Sequence, residues 1–269
     1  MRDFSDYLEN KDIEDLDNVS PGIVAGYLRG LSDIGLSAKT VARHMSSVRN
    51  LFRFLISEGI LKRDPTEGLK PPKLPENLPD IVSVEQMESL INAIDLDSAK
   101  GLGIRDRAIL ETMYATGMRE SEVINLNTDD VYEDIGFVRV FGKGSKERLV
   151  PINGQALYWI DRYSRDVRPK LQSKKRSTIL FLNFRGGQLS RMGLYKIVVK
   201  WAKKAGLDNV HPHTIRHAFA THLIEGGADL IAVQEMLGHA DISTTQIYTN
   251  ISRKHLHKVY HRYHPRGKD

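Results

Sequence analysis

Residues 211–250 read HPHTIRHAFATHLIEGGADLIAVQEMLGHADISTTQIYTN, and this stretch decides the kind of fold to expect. Its apolar residues recur at the spacing of a helix rather than with the alternation of a strand. The spacing predicts one helix over residues 215–225 that stops at the glycine pair 226–227, and another over residues 229–237 that stops at Gly238. The expected core positions of the first helix are Ile215, Phe219 and Leu223.

The same stretch concentrates residue types that carry chemistry. Nine of the ten histidines follow residue 210, Arg216 stands alone in the first helix, and Tyr248 comes near the end. Ser243 and Gln246 have the spacing of a capping box, which predicts that Tyr248 lies on a short third helix. Three interpretations of this chemistry compete.

The first interpretation is a metal site, since His213, His217 and His222 have loosely ligand-like spacing. The chain has no HExxH motif and no cysteine, and few carboxylates lie nearby. We therefore expect no metal, and we interpret His217 and His222 as structural or solvent-exposed histidines. The second interpretation is a DNA-reading helix-turn-helix over residues 229–250, because two helices joined by a glycine-containing turn have that length.

The third interpretation is a phosphoryl-transfer site in which Tyr248 is the nucleophile. Transfer at a phosphodiester develops negative charge on the nonbridging oxygens, which guanidinium groups stabilise. Arg216 and Arg119, which follows a glycine break in ATGMRESE, supply two such groups. Lys143, at the tip of a predicted hairpin, is placed to protonate a leaving alkoxide. The pKa of an ordinary tyrosine is about 10, so a nucleophilic tyrosine needs cationic neighbours that favour the phenolate.

The composition is that of a globular protein with a strongly basic segment. The chain has 269 residues, 41% hydrophobic and 27% charged, with a formal net charge of +5. Residues 136–216 hold 18 Lys and Arg against 4 Asp and Glu, which favours a polyanionic partner over a merely solvated basic surface. The lack of cysteine excludes disulfides and thiolate metal sites. The acidic start and the lack of a long apolar run predict a soluble, cytoplasmic protein without a membrane partner. A polyanionic partner such as DNA would make it nucleoid-associated, which the resemblance described below also implies.

A proline-rich segment divides the chain. Residues 70–79, KPPKLPENLP, hold four of the ten prolines and show no helical period, which is typical of a stiff linker. We expect an N-terminal helical domain at residues 1–70, a linker at residues 71–80 and a C-terminal domain at residues 81–269.

The N-terminal domain is expected to carry a basic helix. Residues 37–59 have a helical apolar period, with Ser37 as the N-cap and Gly59 as the stop. Basic residues off the apolar stripe either contact a DNA backbone or form a solvated face. These residues are Lys39, Arg43, Arg49 and Arg53.

Local signals predict further elements of the C-terminal domain. Ser83 and Gln86 are spaced as a capping box at a helix start. Residues 136–152 contain two β-rich runs around a glycine-rich turn, which predicts a hairpin with Lys143 and Lys146 at its tip.

Two later segments are predicted from their apolar patterns. Residues 177–183, STILFLN, favour a short strand. Residues 251–269 favour an amphipathic helix with one buried stripe. The stripe consists of Leu256, Val259, Tyr260 and Tyr263.

The chain resembles the tyrosine site-specific recombinases, or integrases, most closely those of the Xer type. The motifs that carry the resemblance are ATGMRESEV, VFGKGSKERLVPI, HPHTIRHAFATHL, MLGHADISTTQIYT and YHRYHPR, and they span residues 81 to about 266. NLFRFLISEGILKRDPTEGL resembles the end of the family's SAM-like core-binding domain. The resemblance implies a mainly α protein with a small β-hairpin or sheet, whose two domains close as a C-shaped clamp on duplex DNA. Family members carry one further N-terminal helix, so we expect a shortened N-terminal domain, either natively or by truncation.

The resemblance also implies a site of six residues, Arg119, Lys143, His213, Arg216, His239 and Tyr248. The arginines would clamp the scissile phosphate, Lys143 would protonate the departing 5′ oxygen, and the histidines would move protons or contact the phosphate. Tyr248 would form a 3′-phosphotyrosyl bond that a 5′-hydroxyl of a partner duplex then attacks. Glu122 either supports the arginines or is a surface carboxylate, and Lys146 is a further expected DNA contact.

Because one phosphodiester replaces another, the resemblance implies no cofactor, neither ATP nor a metal. It implies a tetramer on two recombination sites that proceeds through a Holliday junction, with the C-terminal segment docked on a neighbouring subunit. Whether a second recombinase or a DNA translocase takes part stays open. The expected role is chromosome-dimer resolution. The alternatives are integration of a mobile element, a non-catalytic DNA-binding protein on the same fold, and a type IB topoisomerase.

Overall fold

The computed structural model describes residues 2–72, 82–142, 147–172, 177–238 and 250–267. The chain divides into two compact units, Met1–Leu78 and Pro79–Asp269, and each has its own hydrophobic core. Most described residues are helical and the strands form one small sheet, which confirms the predicted fold class. None of the helices in these ranges is long and apolar enough to cross a membrane.

The N-terminal unit is built on α1 Arg2–Glu9, α2 Pro21–Asp33 and α3 Ala38–Ser57. The Ser37 hydroxyl accepts the backbone N–H of Thr40 at 3.2 Å, and Gly59 follows α3 with a positive φ of 70°. The predicted N-cap and stop of this helix are therefore confirmed. The core of the unit includes Phe4, Val24, Tyr27, Val41, Val48 and Phe52.

The four basic residues of α3 have different surroundings. Lys39, Arg43 and Arg53 are exposed, and their spacing places them on one side of the helix. Arg49 is half-buried, and its Nη2 donates to the carbonyl of Leu69 at 2.8 Å, so it ties α3 to the chain that leaves the unit. DNA contact by this helix stays a prediction.

The helices of the C-terminal unit surround α5, Leu102–Thr116, of which 12 of 15 residues are buried. The capping box at Ser83 is confirmed, since Gln86 Oε1 accepts the Ser83 N–H at 2.9 Å and Ser83 Oγ accepts the Gln86 N–H at 3.2 Å. The remaining helices are α4 Val84–Asn92, α6 Glu120–Ile124, α7 Gly154–Asp166, α8 Arg168–Leu171, α9 Arg191–Lys204, α10 Pro212–Glu225, α11 Leu230–Leu237 and α12 Asn250–Tyr263.

The described strands form one antiparallel sheet in the order β1, β2, β3. Its strands are β1 Val131–Tyr132, β2 Phe137–Phe141 and β3 Glu147–Pro151. β2 and β3 are the two arms of the predicted hairpin, in a register that pairs Val140 with Arg148. The tip that carries Lys143 and Lys146 lies outside the described residues.

The strand predicted for residues 177–183 is wrong. Within the described chain this segment makes only isolated bridges, through Ile179 and Leu182. The backbone of the segment bonds to Leu126 and Thr128, and side chains take other bonds that a neighbouring strand would supply. Arg168 donates to the carbonyl of Ile179, and the Tyr163 hydroxyl accepts the N–H of Leu182. Because these bonds come from α7 and α8, they could not be predicted from the apolar pattern of the segment itself.

The two helices predicted in the opening stretch are present as α10 and α11. Helix α10 begins at Pro212, three residues earlier than expected, and Gly227 beyond its end has a positive φ of 102°. Helix α11 ends at Gly238, whose φ of 65° is left-handed, so this stop is also confirmed. The expected core residues Ile215, Phe219 and Leu223 are each 0% exposed. The third helix, with Ser243, Gln246 and Tyr248, lies outside the described residues.

Helix α12 has the predicted buried stripe. Leu256, Val259 and Tyr260 belong to the core of the C-terminal unit, and Tyr263 is half-buried against it. The helix contacts β3, α10 and α11 of the same chain. In the free chain the stripe therefore packs on its own unit.

Candidate active site

Arg119 is placed by the way α5 ends. Gly117 has a left-handed φ of 59°, and the ring of Phe219 stands 2.3 Å from where a Cβ would lie. A larger residue would meet that ring, so the chain turns at a glycine that lies directly against α10. Arg119 follows in extended conformation, with φ −72° and ψ 154°, as the N-cap of α6.

Glu122 lies in the first turn of α6 and holds Arg119 at two points. Its Oε2 accepts the backbone N–H of Arg119 at 2.8 Å, and its Oε1 accepts Arg119 Nη1 at 3.0 Å. The Glu122 side chain is 3% exposed, which excludes the surface carboxylate that the sequence left open. Burial raises the pKa of the Glu122 carboxyl, but hydrogen bonds and charge from Arg148 and Arg119 outweigh burial, so the net pKa is lowered.

Arg148 of β3 is the residue of this site that the sequence reasoning missed. It forms a bidentate ion pair with Glu122, with Nη1 to Oε1 at 2.9 Å and Nη2 to Oε2 at 2.8 Å. Its side chain is 5% exposed. Along β3, Arg148 and Val150 share the buried face. A charged residue in the inward register of an alternating strand is the signal that would have identified it.

Arg216 of α10 is half-buried and bonds to two backbone carbonyls. Its Nη1 donates to Gly117 at 2.6 Å and its Nη2 donates to Leu237 at 2.8 Å. Burial, and after it the positive charge of Arg119, lowers the pKa of the Arg216 guanidinium to about 10. The group is still a cation at neutral pH, but its charge is not fully compensated.

Three guanidinium groups converge on the end of α11. Arg148 Nε donates to the carbonyl of Met236 at 2.8 Å, Arg216 donates to Leu237, and Arg119 Nη2 donates to Gly238 at 3.3 Å. The last carbonyls of a helix have no partner within the helix and carry its negative dipole end, so cations stabilise them. This arrangement brings residues from α6, β3 and α10 to one place.

The charges at this place do not balance. Among the described residues, the guanidinium groups of Arg119, Arg148 and Arg216 face a single carboxylate, that of Glu122, which leaves a net charge of +2. An arginine has five N–H donors, and the contacts among the described residues leave several of them on Arg119 and Arg216. A partly buried, positively charged cluster of side chains with spare donors is suited to an anion such as a phosphodiester.

The histidines of α10 lie in different environments. His213 is exposed in the first turn of the helix, three residues before Arg216 and so on a neighbouring position of its surface. His217 is exposed, and His222 is buried between the Tyr114 hydroxyl and the carbonyl of Val82, each at 2.9 Å. His222 is therefore a structural histidine, as the sequence predicted.

The remaining predicted site residues cannot be placed. Lys143, Lys146, His239 and Tyr248 lie outside the described residues. His239 directly follows Gly238 in the sequence. In the part of the chain that the structure describes, no group of three His, Asp or Glu side chains is arranged to hold a metal ion.

Comparison with known proteins gives the same family for both units. A family model described as the phage integrase family matches residues 81–255, and one described as the phage integrase N-terminal SAM-like domain matches residues 1–59. Tyrosine recombinase XerD of Staphylococcus epidermidis is 44% identical over 99% of this chain and 90% of its own length. Tyrosine recombinase XerD of Chlorobaculum tepidum is 45% identical over 93% of this chain and 83% of its own length.

Solved structures agree with this comparison. The post-cleavage complex of the XerH site-specific recombinase with its palindromic difH substrate is 26% identical, has a TM-score of 0.73, and covers 95% of this chain and 75% of that one. The pre-cleavage complex of XerH with difH is 27% identical with a TM-score of 0.70 over the same shares of both chains. The chain belongs to the phage integrase family, among its Xer-type tyrosine recombinases.

Proposed function

We propose that the chain is a site-specific recombinase that cuts and rejoins duplex DNA at a recombination site. The observation that carries the proposal is the cluster of Arg119, Arg148 and Arg216 around the carboxylate of Glu122. Counted over the described residues, this partly buried cluster has a net charge of +2. A scissile phosphate would supply the missing negative charge. In the solved relatives, XerH is bound to its difH substrate before and after cleavage, which supports DNA as the partner.

The proposed reaction is two transesterifications. The Tyr248 hydroxyl loses its proton and its oxygen attacks the phosphorus, while Arg119 and Arg216 stabilise the charge on the nonbridging oxygens. The bond from phosphorus to the 5′ oxygen breaks, and Lys143 gives that oxygen a proton. A 3′-phosphotyrosyl bond and a free 5′-hydroxyl result. In the second step a 5′-hydroxyl of the partner duplex attacks the same phosphorus, and the tyrosine leaves with a proton.

The histidines have supporting roles in this proposal. His213 assists proton movement at Tyr248 or contacts the phosphate, and His239 hydrogen-bonds a nonbridging oxygen. Because each step exchanges one phosphoester for another, the bond energy is kept in the phosphotyrosyl link and no ATP is needed. The guanidinium groups supply the positive charge for which a metal ion serves in other phosphoryl-transfer sites.

We further propose that four copies act on two sites through a Holliday junction, and that the host role is chromosome-dimer resolution. The assembly rests on the family resemblance. The host role is supported by relatives that carry the name XerD. Integration of a mobile element uses the same chemistry and is the alternative role. A second recombinase and a DNA translocase are further partners in this proposal.

Nicked suicide substrates tiled across the replication terminus of the host test the proposal. A nick a few nucleotides to the 3′ side of the scissile phosphate lets the short fragment that carries the new 5′-hydroxyl diffuse away. The covalent adduct is then trapped and is scored on a denaturing gel. We expect an adduct on one short duplex and none on its neighbours. Adducts on every duplex, together with relaxation of a supercoiled plasmid lacking the site, would indicate a topoisomerase. Tight binding without any adduct would indicate a non-catalytic DNA-binding protein.

A further inference from the structure

Arg148 is a buried charge that the proposed reaction does not use directly. It lies on β3, two residues after the hairpin tip, on the face of the strand that it shares with Val150. Its side chain is 5% exposed, and taking a guanidinium group out of water is costly unless good hydrogen bonds compensate. A methionine or leucine would fill such a place without that cost, so the charge calls for an explanation.

All three nitrogen atoms of the Arg148 guanidinium group donate hydrogen bonds. Two parallel bonds, of 2.9 and 2.8 Å, fix both oxygens of Glu122 in one plane. Nε donates in the same plane to the carbonyl of Met236 at 2.8 Å. A lysine cannot reproduce this pattern, because an ammonium group is a single point without a planar fork.

Glu122 transmits this fixed orientation to Arg119. The same two oxygens that accept from Arg148 also accept the backbone N–H of Arg119 at 2.8 Å and its Nη1 at 3.0 Å. The backbone and the side chain of Arg119 are thus both aimed by one carboxylate. The Arg119 side chain is 37% exposed, so packing alone does not fix its orientation.

The other contact of Arg148 lies at the end of α11. Besides the bond to Met236, the Arg148 side chain packs against the backbone at Gly238: a Cβ there would stand 3.0 Å from Cδ and 3.1 Å from Nε. Glycine at this position therefore serves both the left-handed turn and the close approach of the arginine. His239 comes next in the chain, and Tyr248 ten residues after Gly238.

We infer that Arg148 is a positioning residue for DNA cleavage, an inference that rests on the proposed function. It sets the direction of Arg119 through Glu122, and it anchors the end of α11 through Met236. One buried guanidinium group thus fixes the side chain of Arg119 relative to the end of α11. Arg148 does not itself touch the phosphate.

The loss of Arg148 has a chemical consequence besides loss of geometry. Glu122 is buried, and burial without the Arg148 fork raises the pKa of its carboxyl. The charged groups that face Glu122 among the described residues are Arg119, Arg148 and Arg216. In an Arg148→Met variant, Glu122 becomes protonated at a higher pH and then accepts fewer bonds from Arg119. Cleavage by this variant is expected to rise as pH rises through the new pKa.

The test compares single-turnover cleavage of a nicked suicide substrate at saturating protein. Arg148→Met is expected to slow cleavage about 100-fold, the size of effect that a misplacement of about 1 Å causes, with DNA affinity within a few-fold of wild type. Arg148→Lys keeps the charge and is expected to restore little. The matched control is Arg105→Met, which removes an equally buried arginine, 5% exposed and paired with Asp106, from a different part of the unit.

The outcomes separate positioning from stability. If Arg148→Met and Arg105→Met lower the thermal midpoint alike but only Arg148→Met loses cleavage and gains a pH dependence, the inference stands. Equal cleavage by the two variants, or full cleavage by Arg148→Lys, overturns it. A 5′-bridging phosphorothiolate that rescues Arg148→Met also overturns it, because the defect would then lie at the general acid. A wild-type protein that forms no adduct overturns the proposed function and the inference together.

Discussion

At the scale of single residues, Arg216 lies at the centre of the charge imbalance. Burial and the neighbouring charge of Arg119 lower its pKa to about 10, so its cationic form is held at some cost in the free chain. Its two bonds to carbonyls at Gly117 and Leu237 fix its direction before any ligand arrives. Such preorganised charge is what a phosphoryl-transfer site needs, because no reorganisation remains for the moment of reaction.

We expect Arg216→Ala to lower the rate of adduct formation by orders of magnitude and to weaken DNA binding only slightly. One phosphate contact among many is lost in binding, whereas the transition state loses a dedicated charge. Single-turnover cleavage and a gel-shift titration on the same duplex measure the two effects. Arg216→Lys keeps the charge but not the planar guanidinium group. Its cleavage rate is expected to lie between those of the wild type and Arg216→Ala. Equal losses in binding and cleavage would show that Arg216 is only a DNA contact.

The two lysines of the hairpin tip can be told apart chemically. A thiolate leaves without protonation, so a 5′-bridging phosphorothiolate substrate does not need a general acid. We expect Lys143→Ala to cleave this substrate nearly as fast as wild type and the normal substrate far more slowly. For Lys146→Ala, any slowing of cleavage should be the same on the phosphorothiolate substrate and on the normal substrate. Rescue of Lys146→Ala in place of Lys143→Ala would move the assignment by three positions.

The sequence allowed candidate residues of the site to be picked out, but it did not allow the contacts between their side chains to be predicted. Arg119 and Arg216 stand out because each follows or interrupts a helical pattern. For Arg148 the inward register of its strand is a local signal, but its pairing with Glu122 is not, because Glu122 lies 26 residues away and belongs to another element. The pairing of Tyr114 with His222, 108 residues apart, is equally invisible in a linear pattern. Which side chains meet depends on packing, which short-range spacing does not encode.

At the scale of elements, the ends of helices could be predicted from capping residues and glycines close to them in the sequence. The Ser83 cap and the left-handed Gly238 depend on residues within one turn, and both were predicted. The strand expected at residues 177–183 was wrong because Arg168, from another element, takes its carbonyls. Helix α12 has the predicted stripe, and its neighbours in the free chain belong to its own unit.

We expect the residue after α12 to make the stability of the folded chain depend on pH. His264 is 3% exposed, stacks on Tyr260 at 4.8 Å between ring centroids, and contacts the carbonyl of Tyr114 through Nε2 at 3.2 Å. Burial lowers the pKa of His264 to about 3. Below a pH of about 6.5 the unfolded chain therefore binds a proton that the folded chain does not. Stability from this group is present above that pH and is lost as pH falls towards 3.

We expect His264→Phe to flatten the pH dependence of unfolding. The phenyl ring keeps the stacking but cannot titrate, so between pH about 6 and 4 the slope should be lower by up to about 1.4 kcal/mol per pH unit. Urea unfolding of both proteins at several pH values measures the slopes. The variant is expected to be less stable at neutral pH, since the contact with Tyr114 is lost. Identical slopes would show that the buried histidine does not titrate differently in the two states.

At the scale of the whole molecule, the chain divides into two compact units, and the domain bounds expected from the proline-rich segment stay a prediction. The contact boundary falls between Leu78 and Pro79, within the predicted linker of residues 71–80. Each unit has a separate core, and the two family models match on either side of the segment. A cluster of prolines is a strong local signal, whereas the arrangement of the units on DNA depends on a partner that the sequence does not contain.

The charge of the site predicts how the whole reaction responds to chelation. Because guanidinium groups supply the positive charge at the phosphate, we expect adduct formation to continue in excess EDTA at an unchanged rate. The matched reaction contains EDTA with an excess of magnesium, which keeps the ionic conditions comparable. Loss of cleavage in EDTA, with recovery on addition of magnesium or zinc, would restore the metal interpretation of the histidines.

The central claim is that Tyr248 becomes covalently joined to DNA. Digestion of the trapped adduct with nuclease and protease, followed by mass spectrometry, locates the attached nucleotide on a peptide. We expect it on the peptide that contains Tyr248, and we expect Tyr248→Phe to bind the same duplex with unchanged affinity and form no adduct. A nucleotide on Tyr260 or Tyr263, or an adduct that persists in Tyr248→Phe, would contradict the claim.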